Sequence, residues 1–153
     1  MALIIYDSAY GNTKRIAEAI AETIGAGARC IFIDDIEKVN LNDDLLIVGC
    51  PINAWHPTPK VTEFLKSLSS SQLSGVSAAS FDTRIDSIFS GNAARRIASG
   101  LKKAGAIIVT APQGFYVKAT AGPLADGEIE KAKEWARSLM KVMHNTHSAV
   151  LPG

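Results

Sequence analysis

The residues best suited to chemistry form a short polar stretch near the start of the chain, Ser8-Ala9-Tyr10-Gly11-Asn12-Thr13. The stretch follows an apolar run typical of a β-strand and opens a helical pattern. It therefore brings hydroxyl, amide and backbone N–H groups to a helix N-terminus, whose unpaired donors and partial positive charge suit a phosphate group. A plain strand–turn–helix connection, with these polar residues as helix caps, is the alternative. The Gly-Lys-Ser/Thr ending of a P-loop is missing.

A second stretch, Pro51-Ile52-Asn53-Ala54-Trp55, follows another apolar run, and Thr58-Pro59 then begins a helix. The indole of Trp55 can stack on a planar ring, or it can lie at a contact with another protein. A third stretch, Phe81-Asp82-Thr83-Arg84, ends a later strand-like run. Phe81 is either the last buried residue of that strand or a ring contact. Asp82 and Arg84 either line the same site or simply pair with each other or with solvent.

Five apolar, β-branched-rich runs alternate with helical patterns along the chain. Because these runs are apolar on both faces, they predict the strands of a covered parallel sheet, at about 3–6, 29–33, 44–49, 76–81 and 106–110. The alternation predicts an α/β fold with three layers, built on a doubly wound five-stranded parallel sheet. With the strand order 2-1-3-4-5, the first two stretches face one crevice, where the strand order reverses. A phosphate cradle opposite a tryptophan suits a planar aromatic ligand with a phosphate tail.

The helical patterns cover 12–24, a region that starts at Thr58, 92–104 and a region that starts after Asp126. The connection between the second and third strands consists only of residues 34–44, which predicts a short or irregular helix there. We expect a single domain over 1–145 and a frayed tail over 146–153. The segment 111–117 is longer than a minimal connection, and it either forms an edge hairpin or helps to shape the site.

The composition gives no support to several other classes of function. The 153 residues carry a formal net charge of +1, with no basic stripe for nucleic acid. Cys30 and Cys50 form no CxxC motif or Cys/His cluster, so we expect two buried thiols in a reducing compartment and no metal site. Stable membrane insertion would need an apolar run of about 18–20 residues, which the sequence lacks. Without a basic leader after Met1, a cytoplasmic location is expected.

The sequence resembles the flavodoxins and their relatives over nearly its whole length. Ile4-Ile5-Tyr6-Asp7-Ser8-Ala9-Tyr10-Gly11-Asn12-Thr13 is similar to the phosphate loop of that family. Leu46-Ile47-Val48-Gly49-Cys50-Pro51-Ile52 and Val61-Thr62-Glu63-Phe64-Leu65 are similar to its third strand, second flavin loop and next helix. The resemblance implies a flavodoxin-like fold and flavin mononucleotide (FMN) as the cofactor.

The resemblance also implies roles for the three stretches. Ser8, Asn12 and Thr13 would bind the FMN phosphate together with the backbone from Ala9 to Thr13, Pro51 to Trp55 would flank the isoalloxazine ring, and Ser80 to Arg84 would cover its other edge. The chain departs from the family pattern in three ways. Tyr10 stands where many flavodoxins have threonine. A tyrosine at this position is similar to the quinone-reductase relatives. The third stretch has no tyrosine to stack on the ring, and the chain is not strongly acidic.

The leading hypothesis is an electron-transfer protein in which FMN carries the redox chemistry, with a redox partner protein or a quinone as partner and no catalytic side chain. One alternative is an enzyme, either an FMN-dependent NAD(P)H:quinone oxidoreductase or a relative similar to a protoporphyrinogen oxidase. Another is a flavin-free interaction module with the same fold. A phospho-receiver would need an aspartate where Gly49-Cys50 stand. The sequence leaves the oligomeric state open.

Overall fold

The computed structural model describes residues 1–38, 40–87 and 91–150. Six strands alternate with four α-helices and one short 3₁₀ helix. The strands are β1 (Ala2–Tyr6), β2 (Ala28–Phe32), β3 (Leu45–Pro51), β4 (Ser77–Ile85), β5 (Ile107–Ile108) and β6 (Gln113–Val117). The helices are α1 (Asn12–Ile24), α2 (Pro59–Ser67), α3 (Ala93–Lys103) and α4 (Glu128–Val150), with the 3₁₀ helix at Ile33–Lys38.

The sheet is parallel and follows the order β2-β1-β3-β4-β5, as the sequence predicts. Successive side chains of a strand point to opposite faces, and β1 shows both faces covered. Leu3 and Ile5 belong to the apolar cluster that holds residues of α2 and α3, whereas Ile4 and Tyr6 belong to the cluster that holds residues of α1 and α4. The sheet is therefore the middle of three layers, and the predicted α/β fold is confirmed.

The fifth strand position is divided into two pieces. Ile107 and Ile108 pair with the start of β4, and Gln113–Val117 pair in parallel with its end. Between these two pieces the chain has two more residues than the matching part of β4, which interrupts the hydrogen bonding between the strands. The segment 111–117 therefore extends the edge of the sheet toward its carboxyl end, and it does not form a separate edge hairpin.

The helices lie close to their predicted positions. α1 has the predicted bounds, and the short 3₁₀ helix occupies the place where a short or irregular helix was expected. α4 continues to Val150, whereas the sequence analysis expects a frayed tail from residue 146. No glycine or proline follows His144 until Pro152, so nothing in the sequence breaks the helix at the expected point. Residues 151–153 of the predicted tail lie outside the described residues.

Across the residues that the structure describes, no helix combines the length and the apolar character needed to cross a membrane.

Candidate functional site

The ends of β1, β3 and β4 lie side by side at one edge of the sheet. Tyr6 is in register with Gly49, and Gly49 with Phe81. The Asp7 N–H donates to the Gly49 carbonyl at 3.1 Å, so the loops after β1 and β3 leave the sheet together. Both loops border one cavity of about 670 Å³. This is the shared crevice that the strand order predicts, and its volume lies in the usual range for small-ligand sites.

Most of the predicted site residues line this cavity. They are Ser8, Ala9, Tyr10, Asn12, Thr13, Pro51, Ile52, Asn53, Ala54, Trp55, Thr83 and Arg84. Gly11 lies between two of them along the chain. Phe81 and Asp82 do not line the cavity. The lining residues that the sequence analysis missed are Asp7, Thr58, Pro59, Lys60, Ile85, Val117 and Thr120.

Hydrogen bonds within the first loop give it a fixed shape. The Ser8 hydroxyl accepts from the N–H groups of Gly11 at 3.1 Å and Lys14 at 3.4 Å, and the Asp7 carboxylate accepts from the Ser8 N–H at 2.9 Å. Gly11 adopts φ 90°, which favours glycine. The Ser8 oxygen therefore builds the loop, and its own hydrogen stays available to donate to a ligand.

Several backbone donors of the first loop have no partner in the described part of the chain. The N–H groups of Ala9, Tyr10, Asn12 and Thr13 have no acceptor among the residues that the structure describes. These groups surround the N-terminus of α1, where orphan donors and the helix dipole favour an anion. The side chains of Lys14 and Arg15 are exposed and do not line the cavity. An anion in this loop would thus be held mainly by backbone donors.

A buried pair of hydroxyl groups joins the first loop to β4. The Oγ1 atoms of Thr13 and Thr83 lie 2.8 Å apart, and Thr13 is 1% exposed. Each hydroxyl carries one hydrogen, and their mutual bond uses only one of them. Since both residues line the cavity, the second hydrogen can be donated to a ligand there.

The second loop contains a tight two-residue turn with an unusual backbone. Asn53 and His56 exchange two backbone hydrogen bonds, at 2.8 and 3.0 Å. The two residues between them, Ala54 and Trp55, have φ values of 48° and 69°. Non-glycine residues rarely adopt positive φ, and each costs about 1–3 kcal/mol. Such strain is typical of residues held in place at a ligand site.

Two aromatic side chains stand at the mouth of the cavity, one on each loop. Tyr10 is 61% exposed and Trp55 is 58% exposed. The backbone of Gly91 lies against Trp55, since a Cβ atom on Gly91 would come within 2.6 Å of the Trp55 Cδ1 atom. The indole is thus positioned by both its turn and its neighbour. Aromatic faces that border a cavity and remain exposed suit a planar ring.

Phe81 is a core residue that does not line the cavity, which favours the buried strand residue of its two alternatives over a ring contact. It is fully buried, and its ring packs edge to face against those of Phe115 and Trp135, with distances of 5.9 and 6.1 Å between ring centroids. The ring also covers the backbone of Gly49, where an added Cβ atom would overlap it. The sequence analysis ended β4 at Phe81, but the strand continues to Ile85. Thr83 and Ile85 therefore take the place at the cavity.

Asp82 anchors α3 and likewise does not reach the cavity. Its carboxylate accepts from Arg84 Nε and Nη2, both at 2.7 Å, and from the Ala94 N–H at 2.8 Å. Burial raises the pKa of Asp82, although the Arg84 guanidinium and the Ala94 N–H act in the opposite direction. Arg84 lines the cavity, but its guanidinium is committed to Asp82 and to the Asn92 side chain at 3.2 Å. Asp82 and Arg84 thus pair with each other, and Arg84 also lines the cavity.

The segment after β6 closes the cavity from a third side. Val117 and Thr120 line it, and the backbone of Gly122 lies against the Asn12 side chain. A Cβ atom on Gly122 would come within 2.6 Å of Asn12 Oδ1. The only signal for these residues in the sequence is the long connection after the fifth strand, which does help to shape the site.

The two cysteines lie apart from the cavity. Cys30 is on β2 and Cys50 on β3, with β1 between them, and both are free thiols. Burial raises the pKa of Cys30 to about 11 and that of Cys50 to about 12, so both are neutral thiols at pH 7. No group of three side chains that could ligate a metal is found in the described part of the chain.

Several solved structures share this fold. Oxidised flavodoxin 1 from Bacillus cereus has a TM-score of 0.76 and 21% identity, over 92% of this chain and 98% of that one. A flavodoxin, WrbA-like protein from Agrobacterium tumefaciens has a TM-score of 0.75 and 19% identity, over 94% and 97%. Rubredoxin oxygen:oxidoreductase from Desulfovibrio gigas has a TM-score of 0.73 and 18% identity over 94% of this chain, which spans only 36% of that protein.

No curated protein sequence matches the chain. The family model described as Flavodoxin matches residues 4–135. That span includes most of β1, the other five strands and both loops that border the cavity. The chain therefore belongs to the flavodoxin family.

Proposed function

We propose that the cavity binds FMN and that the protein transfers electrons through it. The observation that carries this proposal is the group of unpaired backbone donors at the N-terminus of α1, which border the same cavity as Trp55. Membership of a family of flavin-binding electron-transfer proteins supports it. Bound FMN would supply the redox chemistry, and the protein would supply binding, orientation and electrostatics.

The phosphate would be held by the first loop. The N–H groups of Ala9, Tyr10, Asn12 and Thr13 would donate to its oxygens, and so would one hydrogen of the Thr13–Thr83 hydroxyl pair. Hydrogen bonds to an ionised acceptor are stronger than those between neutral groups. The flavin ring would lie toward the mouth of the cavity, between the second loop and Tyr10, with Thr83 and Ile85 beside it.

The charged side chains that line the cavity are already engaged within the protein. Asp7 accepts from the Ser8 N–H, Lys60 pairs with Asp34 at 2.8 Å, and Arg84 pairs with Asp82. Of these three, only Asp7 keeps free lone pairs with which it could act as a general base. This arrangement favours an electron carrier over an enzyme that needs proton transfer from a side chain.

Binding of FMN and of riboflavin to the purified protein tests this assignment. We expect FMN fluorescence to be quenched on binding, with an affinity at least about tenfold above that for riboflavin. The difference arises because riboflavin lacks the phosphate, and each hydrogen bond to a charged group contributes about 1.5–3 kcal/mol. Equal affinity for the two flavins would contradict the phosphate assignment, and no quenching by either would refute flavin binding.

The same preparation distinguishes the carrier from the enzyme. Electron carriage predicts that a chemical reductant bleaches the bound flavin and that air restores its absorbance. Rapid oxidation of NADH or NADPH in the presence of a quinone would instead support the NAD(P)H:quinone oxidoreductase hypothesis.

A further inference from the structure

A second cavity lies beside the proposed flavin site. It is a groove of about 900 Å³ between α2 and α3, with an apolar lining that includes Leu65, Leu68 and Ala104. Trp55 lines both this groove and the proposed flavin cavity. The groove therefore opens where the flavin ring would lie nearest to the surface.

The charged residues that line the groove are all basic. Lys66, Arg95, Arg96 and Lys103 line it, and every one of them is exposed. None of the four forms an ion pair with any residue that the structure describes. Glu63, the only acidic residue of α2, is absent from the lining. The groove thus presents four uncompensated positive charges.

The stability of α3 explains only part of this charge, because Lys102 and Lys103 lie in its last turn, where the helix dipole favours cations. The helix sequence contains four basic residues and no acidic one. Arg95 and Arg96 lie in its first turn, where the helix dipole disfavours cations. With a net charge of only +1 for the whole chain, α3 concentrates positive charge on one face of the molecule. A function in binding accounts for the charge better than a role in folding.

The form of the groove favours a protein partner over a small anion. A tight small-ligand site places a few buried polar groups around its ligand, whereas these cations are exposed and share the groove with half-buried leucines, Leu65 and Leu68. Apolar centres with charged rims are typical of protein interfaces, where the rim charges mainly speed association. Trp55 adds an exposed tryptophan, a residue type enriched among energetically dominant interface contacts.

We propose that the groove between α2 and α3 is the docking surface for a redox protein with an acidic face. This inference rests on the proposed function, because the partner exchanges electrons with FMN bound in the neighbouring cavity. In one direction the reduced partner loses one electron and the bound flavin gains it, and in the other the reverse occurs. Complementary charge brings the partner to the edge of the flavin site at Trp55.

Stopped-flow mixing with two probe proteins of opposite charge tests the docking surface. The probes are a reduced acidic [2Fe–2S] ferredoxin, with the oxidised holoprotein, and an oxidised basic c-type cytochrome, with the reduced holoprotein. The variant is Arg95→Glu/Arg96→Glu, and the matched control is Arg137→Glu/Lys141→Glu, which makes the same charge change at exposed sites on α4. Rates are compared at about 0.01 M and about 0.5 M salt, because added salt screens exposed charges.

We expect the rate with ferredoxin to fall as salt rises. We also expect charge reversal on α3 to lower the low-salt rate by about tenfold or more, with a much smaller effect of the α4 control. The cytochrome should show the opposite trend, with no loss of rate on charge reversal at α3. Equal effects of the two charge reversals on the ferredoxin rate would overturn the proposal.

Two further measurements separate this proposal from the function on which it rests. FMN absorbance of each variant is recorded first, and a colourless protein that takes up no FMN would refute the proposed function alone. Amide chemical shifts on adding oxidised ferredoxin then test docking with or without flavin, and we expect the changes to cluster on α2 and α3. Changes elsewhere would contradict the docking surface. Saturation of α2 and α3 resonances by micromolar NADPH would show a small-anion site instead.

Discussion

At the scale of single residues, the Thr13–Thr83 pair connects the fold to the proposed ligand. Both hydroxyl groups are buried, and they bridge the N-terminus of α1 and the end of β4. The pair holds two of the cavity's walls together, and it keeps one hydrogen to donate. Stability and ligand affinity should therefore both depend on it.

Replacing Thr13 with valine tests this dual role. Thr13→Val keeps the side-chain shape but leaves the buried Thr83 hydroxyl without its partner. We expect a loss of about 1–3 kcal/mol in the free energy of unfolding, measured by urea denaturation, and weaker FMN binding. Thr23→Val is the control, because it removes a hydroxyl at the far end of α1 that bonds only to the Ala19 carbonyl. FMN affinity as strong in Thr13→Val as in the control would contradict a contact with the ligand.

The types of the site residues were predictable, but some of their conformations were not. The first loop follows from local rules, since a strand, polar residues and a helix start stand in sequence. The turn at Ala54 and Trp55 breaks a local rule, because turns with positive φ at both central residues favour Asn-Gly. No preference of alanine or tryptophan could have indicated it, and only the surrounding structure holds these residues there.

At the scale of elements, β4 shows why the boundary of the site was misplaced. Asp82, Thr83 and Arg84 have the polar character of a loop, yet they are strand residues. All three pair with β6, and the first two also pair with β3. Such pairing depends on residues about 30 positions away, so the local sequence carries no signal for it. The four strand residues that follow Phe81 bring Thr83 to the cavity, and Phe81 itself stays in the core.

Burial of the Phe81 ring between strands requires a glycine at position 49 of the neighbouring strand β3. The aromatic ring lies directly over the glycine and is held there by Phe115 and Trp135. We expect Gly49→Ala to lower the free energy of unfolding by about 1–3 kcal/mol, because overpacking forces the ring or the strand to shift. Gly27→Ala is the control, since its added Cβ atom would meet only Met1 Sδ at an ordinary 3.7 Å. Equal midpoints of urea denaturation for the two variants would show that Phe81 can move freely.

At the scale of the whole molecule, the layers distribute both charge and chemistry. The layer with α2 and α3 carries the basic groove, and the carboxyl edge of the sheet carries the proposed flavin site. The sequence predicted the order of the strands and hence the place of this edge. A net charge of +1 could not reveal the basic groove, because it depends on which helices the fold brings together.

The buried Cys50 thiol makes the stability of the whole molecule depend on pH in the alkaline range. Cys50 is fully buried in the sheet, and burial raises its pKa from 9.0 to about 12. Between these two values the unfolded chain loses the thiol proton while the folded protein keeps it. The folded state then binds more protons, so the free energy of unfolding falls as pH rises above about 9.

Removing the thiol should remove this part of the pH dependence. A group that titrates only in the unfolded state contributes a slope of about 1.4 kcal/mol per pH unit. We therefore expect the unfolding free energy of the wild type to fall more steeply between pH 9 and 11 than that of Cys50→Ala, by about that slope. Cys30→Ala is the comparison, because its thiol is less buried and has a pKa of about 11. Its contribution should therefore level off near pH 11, whereas that of Cys50 should continue to about pH 12. Parallel stability curves for the wild type and Cys50→Ala would mean that the folded protein opens enough at high pH to ionise the thiol without unfolding.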